Sequence, residues 1–351
     1  MTAAGMIQRE FTRNFVATLL VLIAVSLSVM SIKALSLATS GELDAKDVLI
    51  YTLLLGLRQL PVVLCISLMI SIISCLSRLG NDSELVILNT SGWSPFDTLR
   101  AIVRFSLPIV ASIFFLAIFV WPIGSQSLQS IKESFKAVPE YNKAKPGTFT
   151  TSKSENKTWF AKTDADGHLS DIFLYKIFEN GHITTKSNAG DLIKKEGDDW
   201  ILTKSGSSTK INTTTQDISV TTFQSSEVNL AEKSKPSASD SAPNTKSTYE
   251  LITIPTPSNL SELSWRIGLV ISSFNLSIVA ILFSSTNRRL GKSGNFILGL
   301  LMFILYMNLI ILGQRYIQTG KFGFFQYNLT LHLSFFSLIA ISIYRKFQLL
   351  R

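Results

Sequence analysis

Cysteine is nearly absent: the 351 residues hold two, Cys65 and Cys75, within one apolar run. Their separation along a helix is too great for a disulfide, and neither has companions at metal-ligand spacing. Both read as packing residues, and the redox compartment of the rest of the chain stays open. Histidine is scarce as well, with His168, His182 and His332 scattered along the sequence. No Ser/His/Asp set and no carboxylate pair follows from spacing, so no catalytic site or metal site is expected. Gly291-Lys292-Ser293 imitates the end of a P-loop, but position 286 is Thr286 where the pattern needs glycine, and an apolar run precedes it instead of a strand.

Charge is sparse and unevenly placed. Charged residues make up 16% of the chain against 46% hydrophobic ones. Arginine is missing from Ser125 to Glu262, a stretch with 16 lysines and 17 acidic residues. The remainder carries 17 basic residues against 7 acidic ones. Its cations flank apolar runs instead of covering one soluble face, which excludes a nucleic-acid binder. With a mean hydropathy of +0.31, the composition is that of a polytopic membrane protein.

Six uncharged runs are long enough to span. They cover Phe15 to Ile32, Leu60 to Ser77, Phe105 to about Trp121, Ile267 to about Phe283, Phe296 to Gln314 and about Leu329 to Tyr344. The first is longer than a signal-peptide core and reads as a retained span. Pro61 is placed to kink the second. Basic clusters at Arg9/Arg13, Arg78/Arg100/Arg104, Arg288/Arg289/Lys292 and Arg345/Lys346/Arg351 all fall on one side of a six-span layout. The positive-inside rule makes that side cytoplasmic, together with both termini.

Between spans three and four the pattern changes. Strand-like runs at Thr158–Lys162, Asp171–Phe178, His182–Lys186, Trp200–Lys204 and Ile218–Phe223 are separated by Asp166-Gly167, Asn180-Gly181, Glu196-Gly197 and Ser205-Gly206. That is turn chemistry, and it predicts an antiparallel β domain outside the cytoplasm. Ile172-Phe173-Leu174-Tyr175 is apolar on both faces, which fits either a two-sided core or an open apolar groove. The expected organisation is 1–124 for spans one to three, 125–231 for the β domain, 232–262 for a Ser/Pro/Lys-rich linker, and 263–351 for spans four to six.

The stretch from Leu79 to Thr98 reads as a short cytoplasmic helix near 82–90 and the start of another. Asn81 is a candidate N-cap with Glu84 at the capping-box position, Gly92 suits a left-handed stop, and Ser94-Pro95 restarts the chain. Glu84 can serve as that cap partner or as an acidic contact for a cytoplasmic motor, with Leu85, Val86 and Leu88 as apolar knobs. At the other ends of the spans stand Lys33, Arg58, Arg266 and Arg315. Each can snorkel to headgroups; together they suit an anionic lipid.

Arg9-Glu10, Ser83-Glu84-Leu85 followed by Gly92, and Glu262-Leu263-Ser264-Trp265-Arg266-Ile267, set in a three-plus-three layout around a β insertion, resemble the LptF/LptG permeases of lipopolysaccharide export. The Glu-Leu-Ser-Trp-Arg-Ile stretch and the chain length favour the LptF branch. The resemblance implies a multi-pass inner-membrane permease with a jelly-roll-like periplasmic β domain. It implies a heterodimer with an LptG-like permease on an LptB-like ATPase dimer, and an LptC-like membrane-anchored partner that receives the lipid. It implies no cofactor on this chain, with ATP and Mg²⁺ in the ATPase. Glu84 would then lie on the coupling helix and Lys33 would face the lipid cavity, with spans one and five flanking its lateral opening. The competing class is an extracytoplasmic sensor or mechanotransmission protein that carries no lipid. It would need an output partner in place of an ATPase.

Overall fold

A computed structural model describes residues 3–40, 42–137, 149–152, 156–163, 168–178, 180–195, 198–213, 216–229, 242–283 and 291–349. The chain divides into two compact units, one formed by Met1–Lys132 with Asp240–Arg351 and the other by Glu133–Ser239.

The first unit is a helical bundle. Helix α1 runs Ala3–Thr39, and a short 3₁₀ turn at Ala45–Asp47 leads into α2, Val48–Asn81. A seven-residue helix α3, Glu84–Thr90, precedes α4 at Pro95–Phe115. A π-helical segment, Leu116–Val120, then passes without a break into α5, Trp121–Ala137. After the second unit come α6 (Thr248–Thr253), α7 (Pro257–Phe283), α8 (Gly291–Gln318) and α9 (Phe324–Leu349). Among the described residues six helices are long and apolar enough to cross a membrane, α4 and α5 counting as one. At about 1.5 Å per residue, each reaches or exceeds the roughly 30 Å of a bilayer's hydrocarbon core.

The helices differ in what they touch. Most of the apolar stretch of α2 and of α7 is buried within the chain, whereas almost none of that of α1 is. Leu68, Met69, Ile72, Ile73 and Leu76 of α2 meet Leu276, Val279 and Ala280 of α7 and Tyr306 of α8 in one core. The outward faces of α1, α4, α8 and α9 carry exposed Leu, Ile, Val and Phe. Such faces are stable only against lipid or another apolar helix. Pro61 lies buried inside an unbroken α2.

Several local expectations are corrected. Asn81 does not cap the short helix, because α2 continues through it. The residue before α3 is Ser83, in the left-handed region at φ 61° and making no side-chain cap bond. The capping box belongs instead to α4: Ser94 Oγ accepts from the Asp97 amide, and the Asp97 carboxylate accepts from the Ser94 amide. Gly92 has φ +92°, as its place between two helices requires. Part of the expected linker is folded, since Pro243–Thr245 is a 3₁₀ turn and Leu251 of α6 is fully buried. Lys235-Pro236, Arg288, Arg289 and Arg351 lie outside the described residues.

The second unit holds a six-stranded antiparallel sheet: β1 Thr150–Ser152, β2 Lys157–Thr163, β3 Leu169–Phe178, β4 Gly181–Lys195, β5 Asp198–Asn212 and β6 Ile218–Asn229. Among the described residues the strands pair in sequence order. Trp159 faces Leu174 and Leu174 faces Thr185 in the register. Trp159, Ala161, Leu169, Ile172 and Leu174 form a buried cluster, and Val228 of β6 packs against it, so the sheet curls to bring its last strand over its second and third. The opposite face of β3 puts Phe173 beside Phe149, which also meets Phe160. Asn180-Gly181 is the β3–β4 turn, as expected. Ser205-Gly206 is not a turn: β5 runs through it in one unbroken register with both neighbouring strands, with Ser205 in the left-handed region at φ 53°. The register shift that marks a bulge lies instead between Phe160 and Lys162 of β2, where it faces β3.

Candidate functional site

Two polar clusters mark opposite ends of the helical bundle. The first gathers around Arg78, in the last turn of α2. Its Nη2 lies 3.1 Å from Glu10 of α1, and its Nη1 lies 3.4 Å from Glu84 of α3 and 3.5 Å from Asp82. Glu10 also binds Arg13 at 2.8 Å. Glu84 is thus tied to α1 and α2 through one guanidinium, and its carboxylate is not the cap partner considered above. Nearby, Gln8 Nε2 donates to the Ala101 carbonyl at 2.8 Å, which fixes α1 against α4. Ile87 on α3 and Phe96 at the start of α4 are largely exposed, and Leu88 is half-buried. The side chains of Leu85 and Val86 lie outside the described set. The short helix therefore presents an apolar knob beside a carboxylate, held from behind by an arginine.

The second cluster forms where α2 begins, α4 gives way to α5, α7 begins and α8 ends. Arg266 is fully buried. Its Nε donates to Glu262 Oε1 at 3.1 Å, one helical turn earlier on α7. Its Nη1 donates to Thr248 Oγ1 at 2.8 Å, and its Nη2 to the carbonyls of Lys246 at 3.0 Å and Asn244 at 3.3 Å. Glu262 also accepts from Trp121 Nε1 at 3.0 Å and, at the limit of a hydrogen bond, from Gln314 at 3.5 Å. The guanidinium of Arg58 lies 5.5 Å from the centroid of the Trp121 ring. A buried charge needs a partner and further hydrogen bonds to offset its desolvation, and Arg266 has both.

Of the four cations expected at this end, Arg58 and Arg266 meet in one cluster through Trp121 and Glu262. Arg315 follows Gln314 and is exposed; Lys33 is exposed on α1. Arg266 is therefore in a different environment from the headgroup-facing one expected of it. Glu262, Trp121, Thr248 and Gln314 went unread as functional residues, although Glu262 stands four residues before Arg266, the spacing of a helical ion pair.

Deeper in the bundle, Asn275 donates to the Tyr306 hydroxyl at 2.8 Å, and that hydroxyl shares a 2.8 Å hydrogen bond with Nδ1 of His332. The Tyr306 ring stacks on Phe335 at 3.9 Å. These contacts tie α7, α8 and α9 by polar side chains in an apolar setting, the usual glue of membrane helices. Among the described residues no group of His, Cys, Asp and Glu is placed to hold a metal ion.

Residues 5–346 match the family described as lipopolysaccharide export system permease LptF/LptG. The chain belongs to that family. The lipopolysaccharide export system permease protein LptF of Escherichia coli K12 is 22% identical over 310 residues, which is 85% of this chain and 82% of that protein. The protein of the same name from Shigella flexneri gives the same figures. As a permease-family member with six apolar helices, the chain is a multi-pass inner-membrane protein. The match takes in both helical halves and the β unit that the sequence inserts between them.

Proposed function

We propose that this chain is the LptF-like subunit of an ABC transporter that extracts lipopolysaccharide from the inner membrane and passes it to a periplasmic bridge. It pairs with an LptG-like permease, rests on an LptB-like ATPase dimer and hands the lipid towards an LptC-like partner. ATP and Mg²⁺ act in the ATPase; this chain hydrolyses nothing and transmits movement. The observation that carries the reading is the family match over residues 5–346, which takes in both helical halves and the inserted sheet.

The geometry gives that reading its parts. Helix α3, with Ile87 exposed and Glu84 on its first turn, is the contact for the ATPase. Arg78 ties it to α1 and α2, so a displaced α3 pulls on both helices. Lys33, Arg58 and Arg315 at the other end meet phosphate groups of the lipid, and Arg266 orders that end from within. Each acyl methylene resists water by about 0.8 kcal/mol, so exposing several chains costs on the order of tens of kcal/mol. Extraction therefore needs ATP and an apolar shelter in transit, the role we assign to the inserted β unit.

The test is gentle detergent purification of the tagged protein, followed by intact mass spectrometry of all that accompanies it. A soluble ATPase, a second six-span chain and a phosphorylated multi-acyl lipid are expected together. Recovery with a regulator and no ATPase would overturn the proposal in favour of the sensor class.

A further inference from the structure

The chain leaves the helical unit through α5 and returns to it ahead of α6, so the inserted unit hangs on two connections. Both are fastened at the Arg266 cluster. On the outgoing side, Trp121 at the start of α5 donates to Glu262, and Gln126 Nε2, further along α5, donates to the Thr245 carbonyl at 2.8 Å. On the returning side, the carbonyls of Asn244 and Lys246 and the hydroxyl of Thr248 all accept from Arg266.

Thr248 joins the two sides directly. While accepting from Arg266, its hydroxyl donates at 2.7 Å to the carbonyl of Ile118. Ile118 lies in the π-helical segment Leu116–Val120, where the ordinary ladder of backbone bonds is interrupted. Such segments recur at functional positions because they leave a backbone carbonyl to be satisfied from outside and give the helix a place to adjust. The outgoing helix is thus pinned at its irregular point to the same guanidinium that holds the returning segment.

We infer that Glu262 and Arg266 are a positioning pair: they clamp both connections of the inserted β unit to the start of α7, so that a movement of the spans reaches both connections as one displacement. The inference rests on the transporter reading above. Neither residue needs to touch lipid for this role, and Arg266 has no exposed surface with which to do so. Without the clamp, α5 and residues 242–248 would move separately. Work done on the spans would then be lost before it reached the sheet.

The experiment uses the whole transporter, purified with its accompanying chains and reconstituted into vesicles that contain lipopolysaccharide. The combined variant Glu262→Leu with Arg266→Met replaces a buried ion pair by apolar groups of similar size, a change proteins often tolerate. Its ATP hydrolysis is expected to stay near the unaltered level while lipid release falls about tenfold, within the range by which residues between coupled sites modulate coupling. A short bifunctional thiol cross-link between Gln126→Cys and Thr245→Cys, added to that variant, is expected to restore release, because it rejoins the two connections covalently. A role confined to folding would not be rescued that way.

Undiminished release from the combined variant, or lost release that the cross-link leaves unrestored, would overturn the inference. Should the combined variant not assemble, Arg266→Lys, which keeps the cation and loses the fork, carries the same test and the same two outcomes. If the unaltered transporter itself releases no lipid in this assay, the transporter reading fails and the positioning role built on it falls with it.

Discussion

Taking the Arg266 guanidinium out of water costs several kcal/mol, and Glu262 with three oxygen acceptors in the returning segment offsets it. Arg266→Met alone therefore leaves the buried Glu262 carboxylate without its counter-charge, with Trp121 and Gln314 still donating to it. It is expected to cost about 3–5 kcal/mol, visible as a lower midpoint of thermal unfolding in detergent. Replacing both partners should cost far less. Arg78 is a contrasting case, because it and Glu84 are each about a third or more exposed and their pairing contributes little to stability. Its importance is positional. Glu84→Lys sets two cations side by side and turns α3 away from α1 and α2. Membrane insertion should be kept while coupled lipid release falls about tenfold or more, within the range of measured coupling free energies. Normal release from that variant would remove α3 from the drive path. A cation at the end of a span reads the same in sequence whether it faces lipid or a polar pocket. Only the three-dimensional return of residues 244–248 separates Arg266 from Lys33, although Glu262 four residues earlier was a readable signal.

At the scale of elements, close packing decides what a helix tolerates. A Cβ added to Gly313 of α8 would fall on the Tyr327 ring of α9, whereas one added to Gly299 would meet chiefly the terminal methyl of Ile73. The ring is held by its hydroxyl, which donates to the Leu309 carbonyl at 2.7 Å; the methyl can rotate away. Gly313→Ala should then cost about 1–3 kcal/mol through overpacking and Gly299→Ala distinctly less, as thermal unfolding would register. In the sheet, Asp191 of β4 accepts from the Lys204 ammonium and lies 2.8 Å from His168. Those bonds, the lysine's first, hold its carboxyl below the usual aspartate range. A carboxylate with a lowered folded value stabilises fully above its unfolded pKa, near pH 4, and loses that contribution as pH falls through the folded one. Protection of the β4–β5 amides, taken relative to intrinsic exchange at each pH, should fall below about pH 4, and Asp191→Asn should flatten that dependence. Strand existence was legible from alternation and from Asn180-Gly181. Strand length was not, since Ser205-Gly206 carries turn chemistry yet sits inside a strand that both neighbours hold in register. Likewise the hydrophobic runs located the spans, but no run of letters distinguishes an α-helical turn from the π-helical one at Leu116–Val120.

Across the whole molecule, charge and topology bear on the same question. Arg9, Arg13, Arg78, Arg100 and Arg104 stand on segments that meet at the α3 end of the bundle, where Gln8 reaches Ala101 and Arg78 reaches Glu10. Trp121 and Thr248, on the segments of the bundle that flank the insertion in sequence, meet at the bundle's opposite end. On the proposed reading the α3 end faces the cytoplasm, because arginine and lysine near span ends are retained on the side of synthesis, and the β unit is exported. Both native cysteines are buried, so single introduced cysteines report cleanly. Asn89→Cys on α3 and Thr221→Cys on β6 both replace exposed residues. In intact cells whose outer membrane has been made permeable, a membrane-impermeant maleimide should label the cysteine at position 221 and leave that at position 89 unmodified. In inside-out vesicles the pattern should invert. Labelling of both from one side would place the short helix and the sheet in the same compartment. No movement driven by a cytoplasmic ATPase could then cross the bilayer through this chain to the sheet.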